Sequence, residues 1–237
     1  MNTIKPLKWP ELVLLFGLPT ILNFIACKLL IPFLNSYNIL PIEIMYFVSI
    51  GLLVLMPMFF GSIYLSTREI KSYKINNLFS RMRLKKLSFI DLMWAVGGFI
   101  LLSLTSFIIA KIILPLFAIN ATPFFFKNMP LADKNLWILY VWPVFFFFNI
   151  FGEEFYWRGY VQPRQELLNK KFTWLFHGLF WAVFHLPMGL DLVYSALPTF
   201  FILPAVVQIR KNTSIAIVIH FVFGAFGFLT LAFGFVH

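Results

Sequence analysis

Charge is what this 237-residue chain has least of: Asp, Glu, Lys and Arg together make up 12% of it. A soluble domain of this length needs a far more charged surface, so a soluble globular class is excluded. Acids are scarcer still, 9 against 19 Lys and Arg, for a formal charge of +10. A basic excess can signal nucleic-acid binding. Here the bases cluster between apolar runs and form no aromatic-interleaved basic surface, so no nucleic-acid partner is expected. There is one cysteine, Cys27, which rules out an intrachain disulfide and a Cys-based metal site. Its setting, "NFIACK" at 23–28, has a slight likeness to a lipoprotein cleavage box. Asn23 interrupts the apolar run, however, and "LLIPFL" follows at once, so neither a lipoprotein nor a secretory signal is expected.

What is present is apolar. Hydrophobic residues are 61% of the chain, Phe alone supplies 32, and mean hydropathy is +0.87. A helical membrane span needs about 20 mostly apolar residues. Runs near 11–34, 42–66, 89–118, 136–162, 172–187, 190–209 and 213–235 qualify. The expected fold is an all-α, polytopic transmembrane helical bundle of about seven spans, or eight if the third run breaks near Pro115. The fifth run is short and is expected to end at "HLPMG", where Pro187 and Gly189 stop the helix. No repeat and no soluble domain is visible, so residues 1–237 read as a single membrane-embedded domain.

Basic residues orient it. The 67–88 loop carries Arg68, Lys71, Lys74, Arg81, Arg83, Lys85 and Lys86 against one acid, Glu69. Arg164, Lys170 and Lys171 follow the fourth run, and Arg210 and Lys211 follow the sixth. All fall on one side if the N-terminus, with Lys5 and Lys8, is cytoplasmic. The C-terminus is then outside.

Polar groups inside a span are costly, which makes them functional candidates. Glu11, Lys28 and Glu43 are expected to reach an interface by snorkelling, and Lys111 sits in a run long enough to tilt. Glu153 and Glu154, in "FGEEFYWRGY" (151–160), are different. They lie about ten residues before Pro163, on the order of 15 Å below the cytoplasmic end. Glu154 and Arg158 are four apart in the favourable acid-before-base order, so they pair on one helix face. Glu153 points about 100° away with no local partner, a setting suited to a general acid or base. A purely structural tie between helices needs one acid and one base, and leaves the second acid unexplained. His185 and His220 lie about 17 Å and 11 Å from the same side, so three spans can bring three groups into one layer. A lone helical histidine is more often a satisfied hydrogen bonder, and that is the reading for His177 near its span start and for the terminal His237. Asp191 reads as an outer-loop residue.

These residues carry a family likeness. "EEFYWR" resembles the EExxxR motif of the CPBP family, the CAAX prenyl endopeptidases and bacteriocin-processing or Abi proteins. "WAVFH" resembles its FxxxH motif, with Trp181 in place of Phe. "HFVFG" supplies the third-motif histidine, His220, but has Gly224 where the family has Asn or Asp. The likeness spans about 135–235, the expected catalytic core. It implies a glutamate-dependent intramembrane endopeptidase, a hydrolase of the CAAX protease type, in which Glu153 and His185 activate water and His220 with residue 224 stabilises the oxyanion. Trp181 would wall the imidazole as Phe does, and Glu154 with Arg158 would hold the helix. Gly224 has no side-chain donor. A water, a backbone N–H or Asn149 are the candidates to replace one, and close helix packing is the other use for glycine there. The implied substrate is a peptide or membrane-anchored protein, the partner surface is the lipid bilayer, and no cofactor is expected. The expected setting is a bacterial cytoplasmic membrane.

Two other readings compete. A catalytically silent relative acting as a membrane binding or immunity protein would keep the Glu–Arg pair, and Gly224 favours it. A zinc protease with Glu and His ligands needs three ligands and an open position, and HExxH is absent. A transporter is the weakest, for want of paired broken helices.

Overall fold

The computed structural model describes residues 4–119 and 122–235, and its regular elements are helical. In chain order they are α1 (Trp9–Asn35), α2 (Ile42–Ile70), the short α3 (Ile75–Arg81), α4 (Phe89–Leu116), α5 (Ile138–Met188), α6 (Leu190–Arg210) and α7 (Thr213–Ala232). All but α3 are long and apolar enough to cross a membrane, which gives six such helices. Large apolar side chains such as Leu14, Phe60, Leu104, Phe107 and Phe226 stay exposed. A bilayer solvates such a surface. The chain is a helical integral membrane protein.

The seven expected runs are all helical, but the fourth and fifth share α5. This helix folds back at Lys170 (φ 51°), between arms ending at Asn169 and beginning at Thr173. The side chain of Gln208 on α6 clamps the turn. Its Nε2 donates to the carbonyls of Lys170 (3.0 Å) and Lys171 (3.2 Å), and its Oε1 accepts from Trp174 N–H (2.7 Å). The second arm, Thr173–His185, has 13 residues, about 20 Å of helix, and so ends inside a hydrocarbon core of about 30 Å. It stops at Pro187 and Gly189 as expected, with Gly189 at φ 118°, a conformation glycine adopts without strain. The eight-span alternative does not hold, because α4 runs unbroken through Pro115.

Ion pairs gather at the end of the bundle that carries the basic loops. Arg83 meets Glu166 at 2.9 Å, Arg210 meets Asp91 at 2.9 Å, and Lys211 also reaches Glu166. Arg81 is buried. Its Nη2 bonds Glu69 at 2.6 Å and its Nη1 donates to the Gly159 carbonyl at 3.1 Å. Four residues on from Gly159 is Pro163, which has no N–H to offer an α-helical bond.

Two sequence expectations change. Glu43 does not snorkel: it is 1% exposed, and neither carboxylate oxygen has a hydrogen-bond partner among the described residues. Asn23, read as a break in an apolar run, is buried inside α1 and donates to Phe184 O at 2.7 Å, tying α1 to the end of the second α5 arm. His237 lies outside the described residues.

Candidate active site

The first arm of α5 is wound unusually around its acids. Two wide, i to i+5 turns, Phe148–Gly152 and Glu154–Val161, flank Glu153. Such turns concentrate at functional sites because they re-aim side chains without breaking a helix. Gly152 lets this arm touch α2: a Cβ there would lie 2.7 Å from Leu55 O. Glu153 is therefore carried on backbone pressed against backbone.

Glu153 is 3% exposed. One oxygen accepts from Asn149 Nδ2 at 2.9 Å and the other from Trp181 Nε1 at 2.8 Å. The expectation that it has no local partner is thus corrected: Asn149, one turn earlier, is that partner. Among the described residues it forms no ion pair with a cationic side chain. Both donors are neutral, and each oxygen keeps a second lone pair for a further donor.

Glu154 and Arg158 are fully buried and meet at 3.3 Å, as their spacing predicts. Arg158 also lies 3.5 Å from the Trp181 ring centroid, and among the described residues none of its side-chain nitrogens makes a well-formed hydrogen bond. Glu154 has a further partner that sequence spacing does not show. His220 Nδ1 lies 2.8 Å from its Oε1. His220 thus bridges α7 to the acid expected only to hold the helix.

His185 Nδ1 lies 2.9 Å from the Trp181 carbonyl. A carbonyl only accepts, so Nδ1 carries the hydrogen and Nε2 of the neutral ring presents a lone pair. The Trp181 ring stands between the two imidazoles, its centroid 5.6 Å from His185 and 6.2 Å from His220. His177 is satisfied by Gln165 Oε1 at 2.8 Å.

Glu153, His185 and His220 all line one cavity of about 450 Å³, with Asn149, Trp181 and Gly224. The three groups expected in one layer are brought together; Glu154 and Arg158 lie behind its wall. At Gly224 an added Cβ would sit 3.1 Å from Phe146 Cε2. The ring of Phe146 therefore fills the space into which a side chain at 224 would project. Among the described residues no group of three or more His, Cys, Asp or Glu side chains is placed to hold a metal ion. The donor set about Glu153 agrees with this, since both its oxygens face N–H groups.

Fold and site together define a helical membrane protein with a carboxylate and two imidazoles gathered in an intramembrane cavity. Residues 135–226 match the family model described as type II CAAX prenyl endopeptidase Rce1-like. The motif-bearing part of the chain is thus similar to the CAAX-type membrane endopeptidases. No curated protein and no solved structure matches the chain.

Proposed function

We propose that the chain is an intramembrane endopeptidase that hydrolyses a peptide bond with water activated by Glu153 and His185. The observation that carries this is the placement of a buried carboxylate, fixed by two neutral N–H donors, on the same cavity wall as an imidazole whose Nε2 lone pair is free. Water between them donates one hydrogen to Glu153 and the other to His185 Nε2. Its oxygen attacks the carbonyl carbon as Glu153 takes the proton. The C–N bond then breaks, Glu153 returns that proton to the leaving amine, and the acyl half departs as a carboxylic acid.

The tetrahedral oxyanion needs a donor. His220 can supply Nε2–H only when the Glu154–His220 pair carries a second proton, because Nδ1 is already engaged. Asn149 keeps one amide N–H beyond the one given to Glu153, and it stands on the cavity wall near Gly224 through the neighbouring Phe146 and Ile150. It is the side-chain donor offered in place of the one glycine lacks.

A metal plays no part in this scheme, so strong chelators should leave activity unchanged. Loss on chelation with rescue by zinc would replace it with the metalloprotease reading. The deciding experiment is proteolysis of a peptide library by the detergent-purified protein beside Glu153→Gln and His185→Ala. Cleavage by the wild type and none by the folded variants supports the reading. Cleavage undiminished in Glu153→Gln overturns it. The silent-binder alternative draws on Gly224, and predicts peptide capture without cleavage by wild type and Glu153→Gln alike.

A further inference from the structure

Helix α1 lies along the second α5 arm, and the two run the same way. Trp9, at the start of α1, meets Phe176 edge-on with ring centroids 6.0 Å apart, Phe16 stacks on Phe180 at 5.1 Å, and Asn23 reaches Phe184. Rings make the first two of these contacts. An apolar side chain at 23 would extend the same packing, whereas a buried amide is costly unless its hydrogen bonds are made. The docking of α1 therefore leaves Asn23 unexplained.

Both ends of that amide are in use. Asn23 is fully buried; its Nδ2 donates to the Phe184 carbonyl at 2.7 Å, and its Oδ1 accepts from Cys27 Sγ at 3.4 Å, one turn on. A carbonyl only accepts, so the NH2 end faces Phe184 and the thiol S–H is left for the oxygen. Phe184 is the residue before His185, in the last turn of an arm that ends at His185. The last carbonyls of a helix have no partner within it. Three residues past Phe184 stands Pro187, in the tight turn Leu186–Met188, with no N–H to give. A second tie lies just beyond, where Tyr46 Oη on α2 approaches Met188 Sδ at 3.7 Å. His185 thus sits on a free-ending turn, and its own bond, Nδ1–H to Trp181 O, is made within that turn. When the turn frays, the ring moves with it.

We infer that Asn23, its amide set by Cys27, is a positioning residue for His185. It touches no reacting atom. It fixes the last turn of the arm, and so the direction in which Nε2 faces the cavity shared with Glu153. The part this plays in catalysis rests on the endopeptidase reading; the hold on the imidazole does not.

Nitrogen NMR of the full-length protein in detergent, with 15N-labelled histidine, separates the two. His185 is assigned by comparison with His185→Ala. Asn23→Leu keeps the size of the side chain and removes both of its bonds; Cys27→Ala removes only the bond that sets the amide. The expected result is a His185 Nδ1–H signal that broadens or shifts in Asn23→Leu and in Cys27→Ala and returns in Cys27→Ser. The His177 signal, held by Gln165 two turns earlier on the same arm, should stay in place. On a peptide cleaved in a Glu153-dependent way, kcat should fall about 3- to 10-fold in Asn23→Leu at unchanged KM, fall less in Cys27→Ala, and be restored in Cys27→Ser. Trp9→Ala, which loosens the same pair of helices at its other end, should lower the melting temperature without that loss of kcat. A His185 signal unmoved in both Asn23→Leu and Cys27→Ala overturns the inference, and so does an equal fall of kcat in Trp9→Ala. A signal that moves as expected, in a protein with no Glu153-dependent cleavage, leaves the hold on the imidazole standing and removes the endopeptidase reading.

Discussion

The Trp181 indole N–H donates to Glu153 Oε2 across 2.8 Å, while the ring face of the same side chain carries the Arg158 guanidinium at 3.5 Å. One residue thus connects the two adjacent acids: Glu153 directly, and Glu154 through Arg158. The family motif has Phe at this place, which can offer a ring face and no donor.

Trp181→Phe should therefore separate these two tasks. The ring still meets Arg158, so melting temperature should fall by no more than the loss of one hydrogen bond allows. The lost hydrogen bond to a carboxylate is worth about 1.5–3 kcal/mol, so kcat should fall about 10- to 100-fold. Unchanged kcat on a matched peptide would show that the indole N–H does not hold Glu153 for the reaction.

Glu154→Ala and Arg158→Ala should each lower thermal stability, because each leaves a buried charge short of its partner, a loss of about 3–5 kcal/mol. Arg158→Ala should cost less, since Glu154 keeps His220. The double variant should recover part of the loss. Melting temperatures that add without coupling would mean that the 3.3 Å approach is not a working pair.

Gly224→Asn should overpack the site against Phe146, with a cost of about 1–3 kcal/mol and lower kcat. Placing the same change in a Phe146→Ala background should relieve the crowding. An Asn variant as stable as wild type and faster would show instead that position 224 is an empty oxyanion site.

Gly152→Ala should be at least as damaging. Its Cβ would meet the Leu55 carbonyl at 2.7 Å, and backbone yields less readily than a ring. The expected reading is a lower melting temperature, about 1–3 kcal/mol of lost stability, together with lower kcat because Glu153 is the next residue. Retention of both would mean that α2 and α5 separate without cost.

The helices were legible because they are written in composition: seven apolar runs give seven helical segments, and Pro187 with Gly189 stops the fifth where expected. The Glu154–Arg158 pair was legible because four-residue spacing is local. The meeting of Glu153, His185 and His220 could be anticipated only as matched depth, since depth is a count along each helix. Contacts that depend on rotation between helices were not legible. His220 on Glu154 and Trp181 on Glu153 join residues 66 and 28 apart. Asn149 on Glu153 was within reach of the same four-residue rule that found Arg158. Asn149 carries no charge, and spacing alone does not distinguish a neutral amide that donates to a carboxylate from one that faces elsewhere. Glu43 was misread because its nearness to a helix end says nothing of which way the helix faces.

Arg81 has a consequence for how the chain's orientation can be examined. It counts as one of the loop cations by which a nascent chain is sorted across a membrane, yet its guanidinium is folded inward, donating to the Gly159 carbonyl, four residues before Pro163. Neutralising it would alter topology signals and loosen the α5 arm in one stroke. Lys71 and Lys74, which make no such inward contact, are the charges to remove when insertion alone is to be tested, with Arg81 left as the keystone between sorting and shape.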